Sequence, residues 1–426
     1  MNWDCSEQST LTGATGEPVR VLNVHNYHAE RGGFDVFYEA VGDLLRDRGH
    51  HVVSCDLDSA KIDSAGQKLL ALGTAMYSQK SRRRIEQLIR DEKIDMVHLH
   101  NILPLVSPSV IDACNSLGVP VVMSVEDYKL TCPAGQHIRH GNNCTKCIGA
   151  TGREVFAALH GCRQNRVWST AYAIRNIVNN ARGVFHKIDL LLPCSQFNAD
   201  ILLRDGYDPD QVRVLPNFSP LADEPTADAA AGEYLLFVGR VSPEKGLPVL
   251  IEAAKRTGLP VKVVGDGPAM KELGATSPSN VQWLGKRGRD ELPAIYRGAR
   301  LSVVSSTWFE CFGIVAAEAQ SYGIPVLASR IGGLQETIED GRTGLLFEAG
   351  NAGDLASKWT ELWNDGDRLR CMSAAAVERA NRHFSRDVFY RRLMARYDEA
   401  TVRAKKTRPR VAPPPAVLDS APSGAF

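Results

Sequence analysis

The stretch EYLLFVGRVSPEKGLPVLIEAAKRTGLPVKVVGDG, residues 233–267, holds the unit from which the chain is built. A short apolar strand, YLLFV, runs into a glycine-bearing loop, GRVSPEKG (239–246). A helix then begins near Leu247 with Pro248 in its first turn, where proline's missing N–H costs nothing. A second apolar strand, VKVV, leads into another glycine loop, VGDGP (264–268). Strand, loop, helix and strand in this order read as a βαβ unit.

The rhythm continues through ARLSVVSS (299–306), FGIVAAEAQSYGIPVLAS (312–329) and GLLFE (344–348). It also occurs earlier. VRVLNVH (19–25) is a strand, NYHAERGG (26–33) a loop, and FDVFYEAVGDLLRDRG (34–49) an amphipathic helix stopped by Gly49. HHVVSCD (50–56) is the next strand, and SRRRIEQLIRDEKIDMVHLH and SPSVIDACNSLGVPVVMSV repeat the pattern. Between the halves, PNFSPLADEPTADAAAGE is rich in Pro, Ala and acid and reads as a linker. The expectation is α/β: two Rossmann-like doubly wound domains facing a cleft, with ligands at the carboxyl ends of the strands. Residues 1–18 read as a disordered N-terminus, 19–215 as the first domain with an insert at 128–187, and 216–232 as the linker. Residues 233–382 form the second domain, 383–400 a C-terminal helix, and the Pro-rich 401–426 a disordered tail.

The bulk numbers narrow the function. At 426 residues two domains are the natural division. A net charge of +1 argues against wholesale nucleic-acid binding. No apolar run is long enough to span a bilayer, and MNWDCSEQST lacks the regions of a secretion signal. Ten cysteines in so long a chain are no disulfide scaffold, so a cytoplasmic setting is expected. Two such domains suit a dehydrogenase, yet neither half opens on G-x-G-x-x-G, which argues against nicotinamide chemistry.

The second half carries an anion site. Arg240 and Lys245 lie between a strand end and a helix start, and two cations beside a helix N-terminus make a diphosphate clamp. Alternatively they are two exposed loop residues. VGDGP, with Gly265, and ECFGI (310–314) are further glycine turns after strands. In STWFECFGIVAAEA (306–319), Glu310 and Glu318 stand on either side of such a turn, at the mouth of a helix. They either cap it or bind what it holds.

Gly32-Gly33 in the first loop, GRVSPEKG, GDGP and two glutamates separated by seven residues resemble retaining glycosyltransferases of the GT-B fold, family 4 (group 1). HLHN…SPS…GVPVV and LLPCSQF…VRVLPN fit as well, so the resemblance covers about residues 19–400. It implies a nucleotide-diphosphate sugar held by the second domain and an acceptor, a glycan or lipid-linked sugar, held by the first. It implies hexosyl transfer without a catalytic metal, in surface polysaccharide or glycolipid biosynthesis. Arg240, Lys245 and the amides of Phe312, Gly313 and Ile314 would meet the charge growing on the departing diphosphate. Glu318 would bind the ribose hydroxyls and Glu310 those of the transferred sugar. Gly32, Gly33, Gly239 and Gly265 would let backbone approach the donor. Rival readings are a GT-B-fold nucleotide-sugar epimerase, a phosphorylase, and a non-catalytic sugar-nucleotide or glycan-binding protein.

One departure stands in SVEDYKLTCP (124–133): Glu126 precedes Asp127 where many relatives have a His-Asp pair. A carboxylate there stabilises the developing cation, binds a different hydroxyl, or alters activity. On the first reading Glu126→Gln loses roughly 10²-fold or more in turnover. Three Asp-x-Asp triplets, at 56–58, 208–210 and 365–367, look like chance.

Cys132, Cys144, Cys147 and Cys162 are spaced C-x₁₁-C-x₂-C-x₁₄-C, with His137, His140 and His160 interleaved. This suits structural zinc; an iron–sulfur cluster uses the same ligands, and four free thiols are the plain alternative. Cys5, Cys55, Cys114, Cys194, Cys311 and Cys371 look isolated. From Tyr128 to Lys187 nine basic residues face only Glu154, and CRQNRVWSTAYAIRNIVNNARG suits a helix with Val167, Tyr172 and Ile174 among its apolar positions. The insert therefore fits an anionic acceptor, peripheral contact with an anionic membrane, or an ordinary solvated helix.

Overall fold

The computed structural model describes residues 18–28, 31–61, 64–163, 166–221 and 227–408. Cys5 and the tail beyond Arg408 lie outside them. Strands β1 (Arg20–Tyr27), β2 (His51–Asp58), β3 (Met96–Leu99), β4 (Val121–Val125) and β7 (Leu190–Pro193) form one sheet in the order β2-β1-β3-β4-β7. All its pairings are parallel. The second sheet contains β8 (Tyr234–Val238), β9 (Val261–Val264), β10 (Val281–Gly285), β11 (Ala299–Val304), β12 (Val326–Ser329) and β13 (Gly344–Phe347). Its order is β10-β9-β8-β11-β12-β13, again parallel throughout.

The strands read as unbroken apolar runs because both faces of each sheet are covered. Along β1, Val21 packs against Phe37 and Val41 on one face, while Leu22 and Val24 join Ile85 and Ile89 on the other. Along β8, Leu235 and Phe237 face one way, and Tyr234 and Leu236 the other. Successive strands alternate with helices, so the carboxyl ends of each sheet gather their loops on one edge.

The insert occupies the crossover between β4 and β7. It contains a two-residue hairpin, β5 (Ile138–Arg139) and β6 (Asn142–Asn143), and the helices Arg153–Leu159 and Arg166–Ala181.

Three boundaries differ from expectation. The linker is no free ribbon at its start: Asn217 and Phe218 are buried, Phe218 against Phe37 and Phe389. The C-terminal helix runs Arg386–Thr407, past residue 400, so 401–407 are helical rather than disordered tail. That helix packs not on the second domain, which precedes it in sequence, but on the first. Phe389, Leu393, Met394 and Tyr397 complete the core around Val21, and the Tyr397 hydroxyl pairs with His98 Nδ1 at 2.9 Å. A π-helical turn at Ala380–Phe384 precedes it.

Candidate active site

Strand β11 delivers the loop 305–313 to the helix Ile314–Ser321. Gly313 caps that helix at φ +86°, and a Cβ there would lie 2.5 Å from Leu334 Cδ2. Among the described residues, the N–H groups of Phe312, Gly313 and Ile314 donate no hydrogen bond, as expected for a helix opening. They are free to meet an anion.

Lys245 arrives from the loop after β8. Gly246, at φ +68°, lets the chain pass so close to Ser305 that a Cβ would sit 1.8 Å from the Ser305 carbonyl oxygen. Ser305 Oγ in turn donates to the Lys245 carbonyl at 2.9 Å. The approach seats Lys245 Nζ 2.5 Å from Glu310 Oε1, which also accepts from Ser306 Oγ at 2.6 Å. Burial alone would raise the Glu310 carboxyl, but Lys245 and Ser306 hold it below its ordinary value. A half-buried ion pair, with Glu310 itself buried, therefore stands at the mouth of this helix.

Glu318 lies one turn inside the same helix. It accepts from the Tyr296 hydroxyl at 3.1 Å, and burial pushes its carboxyl up to about 7. Gly239 and Gly265 bring the loops after β8 and β9 together: a Cβ on Gly265 would lie 1.8 Å from the Gly239 carbonyl oxygen. Arg240 follows Gly239 in the same loop; its guanidinium is exposed and donates to Glu244 at 2.6 Å.

The first domain faces this helix mouth. A Cβ on Gly33 would lie 3.9 Å from Ile314 Cδ1, and Gly32 has open space around it. The helix Gly33–Asp47 starts at the glycines themselves, with Asp35 Oδ2 accepting from the Gly32 N–H at 2.8 Å. Asp35 is buried, yet His25 at 2.8 Å, His28 and Gly32 hold its carboxyl below its usual range. Glu126 and Asp127 follow β4. Asp127 accepts from Lys129 Nζ at 2.6 Å, and Lys129 reaches Asn101 Oδ1 at 3.1 Å. Glu126 Oε1 is sealed from solvent without a hydrogen-bond partner. Burial, with Asp127 and Asp35 nearby, drives its carboxyl well up despite Asn217, which favours the acid form over the carboxylate.

Direct hydrogen bonds tie the two domains around Glu310. The Tyr128 hydroxyl donates to the Phe309 carbonyl at 2.9 Å. Asn143 of the hairpin donates to the Thr307 carbonyl at 2.9 Å and accepts from the Phe309 N–H at 3.2 Å. Glu336 accepts from the Gln196 and Phe197 N–H groups at 2.7 and 2.6 Å, capping the helix Gln196–Arg204 across the domain boundary. Sequence reasoning missed Ser306, Tyr296, Tyr128, Asn143 and Glu336, and the His25–Asp35 pair. Only the last, ten residues apart after a strand, left a local trace.

The four clustered cysteines line one small pocket together with His137 and Phe156. Burial, then the charges of Cys132, Cys144 and Cys162, push the Cys147 thiol up to about 12. Cys194 and Cys311, expected to be isolated, lie in one buried cluster drawn from both domains. The insert's positive charge is partly answered from outside it: Arg153 pairs with Asp205, and Arg182 and Lys187 with Asp112. Its apolar positions split. Tyr172 lies between Arg163 and Arg175, whereas Val167 and Ile174 are exposed. Of the Asp-x-Asp triplets, Asp208 and Asp365 cap local backbone N–H groups.

Known proteins resemble the chain over both of its halves. Residues 31–222 match the family described as Glycosyltransferase Family 4, and residues 223–379 that described as Glycosyl transferases group 1. A D-inositol 3-phosphate glycosyltransferase of Nocardia farcinica is 36% identical over 203 residues, 41% of this chain and 45% of that protein. The chain's matches span about half the length of such curated relatives. A sucrose-phosphate synthase from Thermosynechococcus elongatus superposes with a TM-score of 0.66 at 19% identity, covering 91% of this chain and 99% of that one. An Anabaena protein solved with UDP and glucose superposes with a TM-score of 0.61 at 16% identity, covering 89% and 99%. With both halves accounted for from residue 31 to residue 379, the chain belongs to the family 4, group 1 glycosyltransferases and has their two-domain GT-B fold.

Proposed function

We propose that the chain is a retaining glycosyltransferase, moving a hexose from a nucleotide-diphosphate sugar to a glycan or lipid-linked acceptor in surface polysaccharide or glycolipid synthesis. The observation that carries the reading is the half-buried Lys245–Glu310 pair beside the unpartnered amides at Phe312–Ile314. As the bond from the sugar's anomeric carbon to the diphosphate breaks, negative charge grows on the departing phosphate. Lys245 and the helix amides are fixed where that charge appears, so they act without reorganising. The acceptor oxygen takes the anomeric carbon, and its proton leaves with the nucleoside diphosphate. Glu310, held ionised, is placed to accept hydrogen bonds from the sugar, and Glu318 from the ribose. Glu126, whose acid form burial favours, stands beside Asp127 at the end of β4 in the first domain.

The insert suits peripheral contact with the inner face of an anionic membrane. Val155, Leu159, Val167, Ile174 and Ile177 are exposed apolar side chains on its two helices, beside exposed Lys146 and Arg166. Among the described residues no helix is long and apolar enough to cross a membrane.

The test is a thermal shift with UDP, GDP, ADP and their common sugar conjugates on wild type and Lys245→Ala. Stabilisation by one nucleotide series, lost in the variant, is expected. Absence of stabilisation by all of them would overturn the donor site. Donor turnover without any acceptor would mark an epimerase instead.

A further inference from the structure

We propose that Cys132, Cys144, Cys147 and Cys162 bind one structural Zn²⁺, and that this ion holds the β5–β6 hairpin against the Thr307–Phe309 segment beside Glu310. Twenty-nine residues lie between the first cysteine and the last, yet all four line a single small pocket of about 10 Å³. None is in a disulfide. Each sits on a turn rather than within a long element. Cys132 follows a turn closed by its N–H on the Tyr128 carbonyl at 2.8 Å, and the Cys162 N–H closes on Ala157 at 3.2 Å. Cys144 and Cys147 flank a tight turn, with the Ile148 N–H on Thr145 at 3.1 Å and the Ala150 N–H on Cys147 at 3.3 Å.

The histidines are otherwise engaged. His137 uses Nε2 on Thr131 and Nδ1 on the Cys144 carbonyl, both at 2.9 Å, so it braces the loop. His140 and His160 are exposed. Four thiolates around Zn²⁺ carry a net charge of −2, and the surroundings answer it. Arg139 lines the same pocket, and its buried Nε has no hydrogen-bond partner. Arg163, on a flanking segment, donates to the Ala134 carbonyl in the pocket wall at 2.9 Å, whereas Arg153 is committed to Asp205. Among the described residues no three ligand side chains already converge on one point. The ion would draw the thiols in from the pocket wall to Zn–S distances of about 2.3 Å. The segment has little core of its own, with two-residue strands and a seven-residue helix. A metal cross-link is the physical means by which so small a unit keeps Asn143 on Thr307 and Phe309.

Full-length protein expressed in zinc-supplemented medium is assayed for metal by mass spectrometry, with thiols counted in parallel. About one zinc per chain is expected in wild type and in Cys371→Ser, a change at an exposed cysteine remote in sequence. In Cys144→Ser and Cys147→Ser zinc should fall to about a tenth of that or less. Should those variants not fold, cobalt substitution in wild type decides, since a four-thiolate site gives tetrahedral cobalt bands with thiolate charge transfer. Metal-free wild type, iron in place of zinc, zinc retained in Cys147→Ser, or cobalt without thiolate bands would each overturn the proposal.

Discussion

At the residue scale three carboxyls share one cleft but differ in acidity, and each difference has a cause. Burial would raise all three; Lys245 holds Glu310 below its ordinary value, whereas burial takes Glu318 up to about 7 and drives Glu126 well up. Glu318 starts from 4.5 and rises to about 7 in the fold, so its share of stability is whole below pH 4.5 and is lost as pH rises through 7. Ribose hydroxyls donate best to the ionised form, so nucleotide should bind about tenfold more tightly at pH 8 than at pH 6. Titration calorimetry on wild type and Glu318→Gln checks this; the variant should show a flat profile. Burial favours the acid form of Glu126 over the charged carboxylate. Its amide analogue keeps shape and donor, so Glu126→Gln should hold turnover within a few-fold, while Glu126→Ala should lose roughly 10²-fold. Near-equal losses in the two variants, measured as nucleoside diphosphate release, would place the effect in charge. Lys245→Ala strips Glu310 of its cation and should lower turnover by roughly 10²–10³-fold.

At the element scale the decisive feature is the turn into Ile314–Ser321. Gly313→Ala adds both a φ +86° strain and a clash with Leu334, whereas Gly350, at φ +84° with open space around it, offers the strain alone. Gly350→Ala should therefore cost about 1 kcal/mol and Gly313→Ala about 2–3 kcal/mol, read from denaturant midpoints. Loss of nucleotide binding should accompany only the second. The strands, the glycine loops and the helix openings were legible in the sequence because their signals are local: apolar runs, Gly stops, a proline in a first turn. What joins them was not. Lys245 and Glu310 are 65 positions apart, Asn143 and Thr307 164, and nothing in the spacing of either pair announces the contact. The resemblance named Glu310 as a sugar ligand, but its ion pair with Lys245 and the upward push on the Glu126 carboxyl come from packing. The burial of Cys194 and Cys311 in one cluster escaped notice for the same reason.

At the scale of the whole molecule the cleft is closed by a buried cluster that joins Tyr128 and Ile201 of the first domain with Phe312 and Ala317 of the second, and by direct hydrogen bonds. Glu336 alone caps the helix Gln196–Arg204 from the other domain, so Glu336→Ala should destabilise by about 1 kcal/mol and let the halves separate further. Small-angle scattering of the variant should show a larger radius of gyration; an unchanged radius would assign closure to the contacts around Phe309. The helix Arg386–Thr407 has a further consequence, for biogenesis. Phe37 and Phe218 leave the ribosome long before Phe389, which covers them, and the entire second domain is made in between. The first domain to be synthesised is thus the last to be finished. At about 5–20 residues per second its aromatic face waits uncovered for many seconds, a window in which a chaperone has something to hold.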